Sequence, residues 1–315
     1  MNQPTMLLSK PKAGAGGVSI QPGTALKVVD YRDGWNKVET MSEDKTRGWV
    51  SSRVGPELEP QLSVPRCDRK YVTYQPVEGK IFVGDPKPED LNQGWLGDCF
   101  LMGGLGALAW GNPESIRNAI REGDEEGTYI VTIDRVSDNG RNWGKREIKI
   151  DNVFPTKDGH LLYGQGGKKA KDRYEIEEFE NGDRPLWPAI IEKAFATMLG
   201  GYDKLDQGGM EAVVFESLTG NDANEYDIGR DGTEDNKLAI DEFKRAIRKG
   251  LPVACSTKGH KVVTAPKVYD NHVYIAVGYS KDKVILRNPH DARDTMALSY
   301  KDFSRAFESF AVANV

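Results

Sequence analysis

The sequence predicts an α+β protein, with a small all-β segment in front of a larger region that has helices first and strands last. The first 60 residues alternate apolar and polar side chains in short runs separated by turn residues. Residues 99–110 form a nearly continuous apolar run, which favours a buried helix. After residue 250, short apolar runs at 252–256, 272–279 and 283–287 favour strands. Helical and strand runs kept apart in this way are typical of the α+β class.

The composition limits the classes of function. The chain has 315 residues and 38% hydrophobic content, enough for one large domain or two to three ordinary ones. The net charge of -5 argues against nucleic-acid binding, which needs a basic face. No apolar run approaches the length of a membrane-spanning helix, so we expect none.

The cysteines and the N-terminus suggest the compartment. Cys67, Cys99 and Cys255 are too few for a disulfide framework in a chain of this length. The first residues lack the basic and apolar regions of a secretory signal. We therefore expect a cytoplasmic protein, or one exported without a classical signal peptide.

Four helices and a linker are expected in the larger region. Three prolines in residues 55–66 indicate a linker, and Gly250 closes the third helix. Besides the strands named above, a closing strand is expected at 310–314. The predicted helices cover residues 99–110, 185–199, 240–249 and about 300–307.

Cys99 is the candidate nucleophile. A cysteine attacks a carbonyl as the thiolate, and Cys99 begins its helix, where the helix dipole and free N–H groups favour negative charge. The preceding glycines allow a tight turn, and the Gln93 side chain is a candidate donor to an oxyanion. The residues alone also fit a structural cysteine at the start of a core helix. Cys255 lies in an apolar strand and is expected in the core.

His272 is the candidate general base and Asn288 its orienting partner. His272 begins a strand after a turn, which can place its ring at a cleft edge. Asn288 ends the next strand, so antiparallel pairing would bring the two side chains together and fix the tautomer of the imidazole. His160 and His260 lie in loops expected to be solvated, and His290 is a weaker candidate for the general base. The alternative to an orienting role for Asn288 is that Asn288-Pro289 simply forms a turn.

Several motifs occur together in the order found in calpains. Residues 93–100 (Gln-Gly-Trp-Leu-Gly-Asp-Cys-Phe) resemble the calpain nucleophile motif, and residues 151–159 resemble a later segment of that core. Residues 186–202 are similar to its core helix and the turn that follows. Further similarities lie at 218–220, at His272, at 287–289 and at 298–303.

The resemblance implies a papain-like protease core in two subdomains, residues 61–198 and 199–315, with a cleft between them. It implies Cys99, His272 and Asn288 as catalytic residues, with Gln93 and the backbone N–H of Cys99 as the oxyanion hole. The substrates would be proteins or peptides, and the chemistry would need no cofactor.

Residues 1–60 resemble a bacterial Src-homology-3-like module, a small barrel that tethers or targets a catalytic domain. The resemblance rests on the short motifs at 22–29, 33–38 and 48–51. It implies a bacterial source, and a ligand or a cell-wall component as a partner of this module. A packing domain that binds nothing is the alternative.

Calcium is the candidate cofactor that the sequence suggests. Asp90 and Glu192 match the carboxylates of the first calcium site in calpains, and calcium takes oxygen ligands. The alternatives are a capping Asp90 and a Glu192 paired with a lysine. The loop after Asn288 is shorter than in calpains, so we expect at most one weak calcium site. Two positions depart from the calpain pattern. His290 stands where calpains have the tryptophan after the Asn-Pro motif, and Phe100 stands where they have the tryptophan after the nucleophile.

The residues also fit three other functions, two of which use the same Cys–His pair. A cell-wall peptide hydrolase fits the N-terminal resemblance, and a transglutaminase would normally have aspartate in place of Asn288. A non-catalytic binding protein on a protease fold is the third alternative.

Overall fold

The computed structural model describes residues 5–10, 12, 15–20, 26–32, 35–40, 45–51, 72–134, 137–138, 141–142, 144–157, 160–166, 184–259 and 268–315. Cys67 and His260 lie outside the described residues, and so does the whole of the predicted linker at residues 55–66. None of the helices in the described part of the chain combines the length and apolarity needed to cross a bilayer.

The N-terminal segment is an antiparallel five-stranded sheet. Its strand order is β2-β1-β5-β4-β3, with the strands β1 (Thr5–Leu8), β2 (Gly17–Ile20), β3 (Leu26–Arg32), β4 (Trp35–Thr40) and β5 (Arg47–Ser51). A small apolar cluster of Leu7, Ile20, Val38 and Val50 holds the sheet together. The strands predicted near 25–29 and 35–40 are present, and the likeness to a Src-homology-3 module stays a prediction.

The larger region mixes helices and strands, as the sequence predicts. Its helices are α1 (Cys99–Gly111), α2 (Pro113–Ala119), α3 (Trp187–Leu199), α4 (Tyr202–Leu205), α5 (Glu211–Thr219), α6 (Glu234–Arg248) and α7 (Tyr300–Ala306). A short 3-10 helix, Pro88–Asp90, precedes β7. The strands are β6 (Thr73–Pro76), β7 (Leu91–Gly94), β8 (Ile120–Glu122), β9 (Thr128–Ile133), β10 (Ser137–Asp138), β11 (Arg141–Asn142), β12 (Arg146–Asp151), β13 (Val153–Lys157), β14 (His160–Leu161), β15 (Tyr163–Gly166), β16 (Ala223–Asp227), β17 (Val253–Thr257), β18 (Val273–Tyr279), β19 (Lys283–Asn288), β20 (Asp291–Ser299) and β21 (Phe307–Ala313).

Helix α1 is the central element of the first apolar cluster. Its residues are apolar on every side, and such a helix is stable only when it is buried all round. Glycines let it approach β18 closely, because a Cβ on Gly103 would lie 2.5 Å from Val273 and one on Gly106 would lie 2.2 Å from Ile275. This contact joins the helix that begins at Cys99 to the strand that follows His272.

Helix α3 confirms the predicted helix at 185–199. It begins with Pro188 in its first turn, where the missing N–H costs nothing. It ends at Gly200, whose φ of 94° lies in the left-handed region that glycine adopts without strain. Nearly all of its residues are buried in the first cluster.

The second half of the chain forms a six-stranded antiparallel sheet with the order β16-β21-β17-β18-β19-β20. The predicted strands at 252–256, 272–279 and 283–287 correspond to β17, β18 and β19, and the predicted closing strand corresponds to β21. Helices α6 and α7 pack with the sheet in a second apolar cluster that includes Phe243, Phe303 and Phe310. Cys255 is fully buried in β17, as expected.

Two predictions need correction. The third helix begins at Glu234 rather than 240, because the Thr233 hydroxyl accepts a hydrogen bond from the Asn236 N–H and caps it. His160 lies in the short strand β14 and is partly buried, whereas the sequence predicts a solvated loop. Its glycine neighbours suggest a loop, but the strand is held by pairing of His160 with Lys157.

A buried ion pair ties α3 to β12. The Lys193 ammonium is fully buried and donates to the Asp151 carboxylate at 2.5 Å and to the Val153 carbonyl at 2.7 Å. Burial lowers the pKa of Lys193, and the Asp151 charge opposes this shift. Removing one partner of such a pair leaves an uncompensated charge in the core.

We therefore expect Asp151→Ala to lower the free energy of unfolding by about 3–5 kcal/mol. Glu147→Ala on the same strand is the matched control. Its exposed ion pair with Arg121 is worth less than about 1 kcal/mol. Urea unfolding of the two variants checks the difference, and equal losses would show that the buried pair contributes no more than the exposed one.

Candidate active site

A cleft of about 500 Å³ lies where the N-terminus of α1 faces the start of β18. Gln93, Cys99, His272, Asn288 and His290 are among the residues that line it. Four of the sequence-predicted site residues, from positions 93 to 288, therefore share one cavity.

Cys99 is the first residue of α1, as predicted. Its side chain is partly exposed to the cleft, and its Sγ donates to the carbonyl of Asn271 at 3.9 Å. Asn271 has a φ of 46°, the left-handed region that is uncommon for a residue with a side chain. This turn places the residue before His272 directly against the sulfur of Cys99.

His272 and Asn288 are hydrogen-bonded. The distance from His272 Nε2 to Asn288 Oδ1 is 2.8 Å, and the backbone N–H of His290 donates to the same oxygen at 3.0 Å. The amide oxygen of Asn288 is an acceptor, so Nε2 carries the hydrogen and Nδ1 keeps its lone pair. Antiparallel pairing of β18 with β19 brings the two residues together, as the sequence predicts.

The His272 ring is enclosed by aromatic side chains. His290 stacks on it with ring planes 8° apart and centroids 5.2 Å apart. Tyr269 and Tyr274 contact it edge-on at 5.9 and 5.1 Å. Only 7% of His272 is exposed, so these rings leave its orientation little freedom.

Gln93 lies at the other wall of the cleft and is 2% exposed. Its side-chain N–H donates to the Leu96 carbonyl at 2.7 Å, and its backbone N–H donates to the Pro289 carbonyl at 3.0 Å. A primary amide has two N–H groups. One of them donates to the Leu96 carbonyl, and the side chain is also hydrogen-bonded to the Asp98 carboxyl.

Burial shapes the electrostatics of the Cys–His pair. It raises the pKa of the Cys99 thiol to about 11, and the Asp98 and Glu211 carboxylates add to the rise. Burial lowers the pKa of His272, and its hydrogen bond to Asn288 opposes this shift. Burial thus opposes the stabilisation of the thiolate that is expected from the helix N-terminus, and it favours the uncharged form of both groups.

A buried pair of carboxyl groups includes Asp98, the residue before Cys99. Asp98 is fully buried, burial raises its pKa to about 7, and a hydrogen bond with Glu192 opposes the rise. Two carboxyl groups can share a hydrogen bond only when one of them is protonated. Nothing in the sequence pattern marks Asp98 as a site residue, although it directly precedes Cys99.

The two calcium-ligand candidates have other partners. Asp90 accepts from the Trp187 indole N–H at 3.0 Å and from the Lys87 backbone N–H at 3.2 Å, while Glu192 bonds Asp98. Within the described residues, no group of three or more His, Cys, Asp or Glu side chains could hold a metal ion. Calcium takes six to eight oxygen ligands, and the two carboxylates would supply only part of such a set. The expectation of at most one weak calcium site stays a prediction.

The fold and the cleft define the class of protein. In this class a cysteine at a helix N-terminus and a histidine directly before a sheet strand line one cleft. A family model described as calpain family cysteine protease matches residues 69–295. The chain belongs to the calpain family of cysteine proteases, as the sequence motifs indicate.

Individual calpains are similar to this chain over the same region. The chicken (Gallus gallus) calpain-1 catalytic subunit is 27% identical over 228 residues, which is 67% of this chain and 29% of that protein. Rat (Rattus norvegicus) calpain-8 is 28% identical over 67% of this chain and 29% of its own length. Human calpain-2 catalytic subunit is 26% identical over 76% of this chain and 32% of its own length. The chain thus covers about a third or less of these relatives.

Proposed function

We propose that this protein is a cysteine endopeptidase that cleaves peptide bonds with Cys99 as nucleophile, His272 as general base and acid, and Asn288 as orienting residue. The observation that carries the proposal is the 2.8 Å hydrogen bond from His272 to Asn288 in the cleft that Cys99 lines. A nucleophile, a base and an orienting acceptor are the parts that such catalysis requires.

The reaction proceeds in two halves. Nδ1 of His272 takes the proton of the Cys99 thiol as the sulfur attacks the peptide carbonyl, and the C–N bond then breaks while His272 protonates the leaving amine. A thioester to Cys99 remains. His272 next takes a proton from water, which attacks the thioester, and the proton returns to the sulfur as the acid product leaves.

The developing oxyanion is stabilised by N–H groups at the wall opposite His272. The backbone N–H of Cys99 at the start of α1 and the side-chain amide of Gln93, which lines the cleft, are the proposed donors. Because Gln93 is held by Leu96 and Pro289, its donor is preorganised and does not need to reorient during the reaction.

We expect Gln93→Ala to lower kcat about 10²- to 10³-fold with little change in KM, because one oxyanion donor acts only in the transition state. Gln165→Ala is the matched control. Gln165 is also a buried glutamine that lines the cleft, and it donates to the Leu161 carbonyl at 2.7 Å. Steady-state hydrolysis of a fluorogenic peptide compares the two. Equal losses in kcat would remove Gln93 from the oxyanion hole.

The domain division accompanies this proposal. Residues 61–198 and 199–315 form the two papain-like subdomains, and residues 1–60 form a Src-homology-3-like targeting module. The separate apolar cluster of the N-terminal sheet supports an independent unit. Its ligand or cell-wall target would select where the protease acts.

Digestion of an unfolded protein substrate tests the proposed function. New N-termini found by mass spectrometry, and their absence with Cys99→Ala, would establish peptide-bond cleavage. Incorporation of a primary amine into glutamine without new termini would instead indicate a transglutaminase. Release of muropeptides from peptidoglycan would indicate a cell-wall hydrolase. Equal rates in calcium and in chelator would remove calcium from the reaction.

A further inference from the structure

Among the described residues that line the cleft, His290 is the one whose ring lies face to face with the ring of His272. The planes are 8° apart and the centroids 5.2 Å apart. Its backbone N–H donates to Asn288 Oδ1, the oxygen that His272 Nε2 also contacts. His290 therefore contacts both members of the His272–Asn288 pair, through its ring and through its backbone.

We propose that His290 is a positioning residue that holds His272 in its Asn288-bonded orientation, and that protonation of His290 sets the acid limit of Cys99 reactivity. The inference rests on the proposed function of His272 as the base for Cys99. It adds a second titrating group to the site, with a charge that acts at ring-contact distance.

The charge states decide the direction of the effect. Attack by Cys99 requires that its proton pass to His272, which creates an imidazolium under the ring of His290. A neutral His290 presents its ring face to that cation, which is favourable. A protonated His290 presents a like charge about 5 Å away, which opposes the proton transfer on the order of a hundredfold at the effective dielectric of a protein surface.

The surroundings of His290 allow it to carry a charge. Asp291 follows it and lines the same cleft, while Arg287 on β19 is engaged with Glu89 at 2.6 Å. Histidine titrates between about pH 5 and 8 in an ordinary setting. The charged or titratable groups near His290 on the packed elements and across the cleft, among the described residues, are Glu89, Asp90, Cys99, Asp206, Tyr269, His272, Arg287 and Asp291.

Three variants separate the ring from its charge. His290→Phe keeps an aromatic ring over His272 but cannot be protonated, and His290→Ala removes both. His160→Phe is the control, because it removes a histidine of β14 that does not line the cleft. Circular dichroism establishes that each variant is folded.

The measurement is the rate of Cys99 alkylation by iodoacetamide as a function of pH, followed by mass spectrometry of the Cys99 peptide. We expect the acidic midpoint of His290→Phe to lie at least about one pH unit below that of the native protein, when each curve is scaled to its own plateau. His160→Phe should follow the native curve. His290→Ala should lower the plateau itself, since His272 loses its cover.

Coincident midpoints for the native protein and His290→Phe would overturn the proposal, because a purely structural ring gives that result. A midpoint that moves to higher pH in His290→Phe would overturn it too, as would a Cys99 that is not alkylated at any pH. The assay needs no peptide substrate. A midpoint shift in a protein that hydrolyses no peptide would therefore uphold the role of His290 and reject the proposed function.

Discussion

Cys99→Ala is expected to lower kcat/KM for peptide hydrolysis by at least about 10⁴-fold. Loss of the nucleophile removes the covalent route altogether, and the residual rate reflects only binding and the oxyanion donors. The substitution removes a small side chain at the mouth of the cleft, so the fold and KM should change little. Fluorogenic peptide hydrolysis at high enzyme concentration measures the remaining activity.

Cys255→Ala is the matched control for this result. Cys255 is fully buried in β17, and burial raises its pKa well above the ordinary value, so it is not a nucleophile. We expect its replacement to affect stability rather than kcat. A Cys99→Ala variant that retains more than about one hundredth of the activity would contradict the assignment of Cys99, since loss of such a nucleophile costs far more.

His272→Ala is expected to lower kcat by about 10⁴-fold, because burial raises the pKa of the Cys99 thiol to about 11 and the thiolate does not form without a base. The double variant with Cys99→Ala should be no worse than either single one, since the two residues act as a unit. His160→Ala should leave the rate unchanged.

The pH dependence of His272→Ala provides a second readout. Without a base, attack requires a thiolate formed by simple ionisation, so the residual rate should rise towards the raised pKa of Cys99. In the native protein His272 is the proposed base, and its lowered pKa favours the uncharged imidazole towards acid pH. A His272→Ala variant with the native profile would contradict the role of His272.

Most of the correct predictions of secondary structure came from long apolar runs and from residues that mark helix ends. Helix α1 could be predicted because it is apolar on all sides, and helix α3 because a glycine follows its last residue. Antiparallel pairing of the strands next to His272 and Asn288 followed from their closeness in sequence. Their hydrogen bond is the part of the site that spacing alone could indicate.

Other elements were not visible in the pattern. β20 contains Asp291, Arg293 and Asp294 and lacks a regular alternation, yet it pairs with β19 along its length. Helix α5 has no counterpart among the predicted elements, and the predicted third helix starts after its Thr233 cap. Tertiary pairing sets these elements, and local propensity is a weak guide to them.

The contacts between distant residues were equally hidden. The sequence indicated His290 as a replacement but not that its ring lies parallel to the ring of His272. It gave no sign that Asp98 and Glu192 share a buried hydrogen bond, since the two residues lie in separate helical segments. Burial of the Cys99 thiol, which raises its pKa and so opposes the expected effect of the helix N-terminus, was equally invisible in the sequence.

Covalent labelling with an epoxysuccinyl inhibitor tests the Cys99–His272 assignment most directly. The thiolate opens the epoxide and forms one thioether, so intact-mass spectrometry counts the adducts. We expect one adduct per chain, located on Cys99, absent from Cys99→Ala and formed much more slowly in His272→Ala. A folded native protein that takes up no label, or takes it up equally in Cys99→Ala, would contradict the assignment.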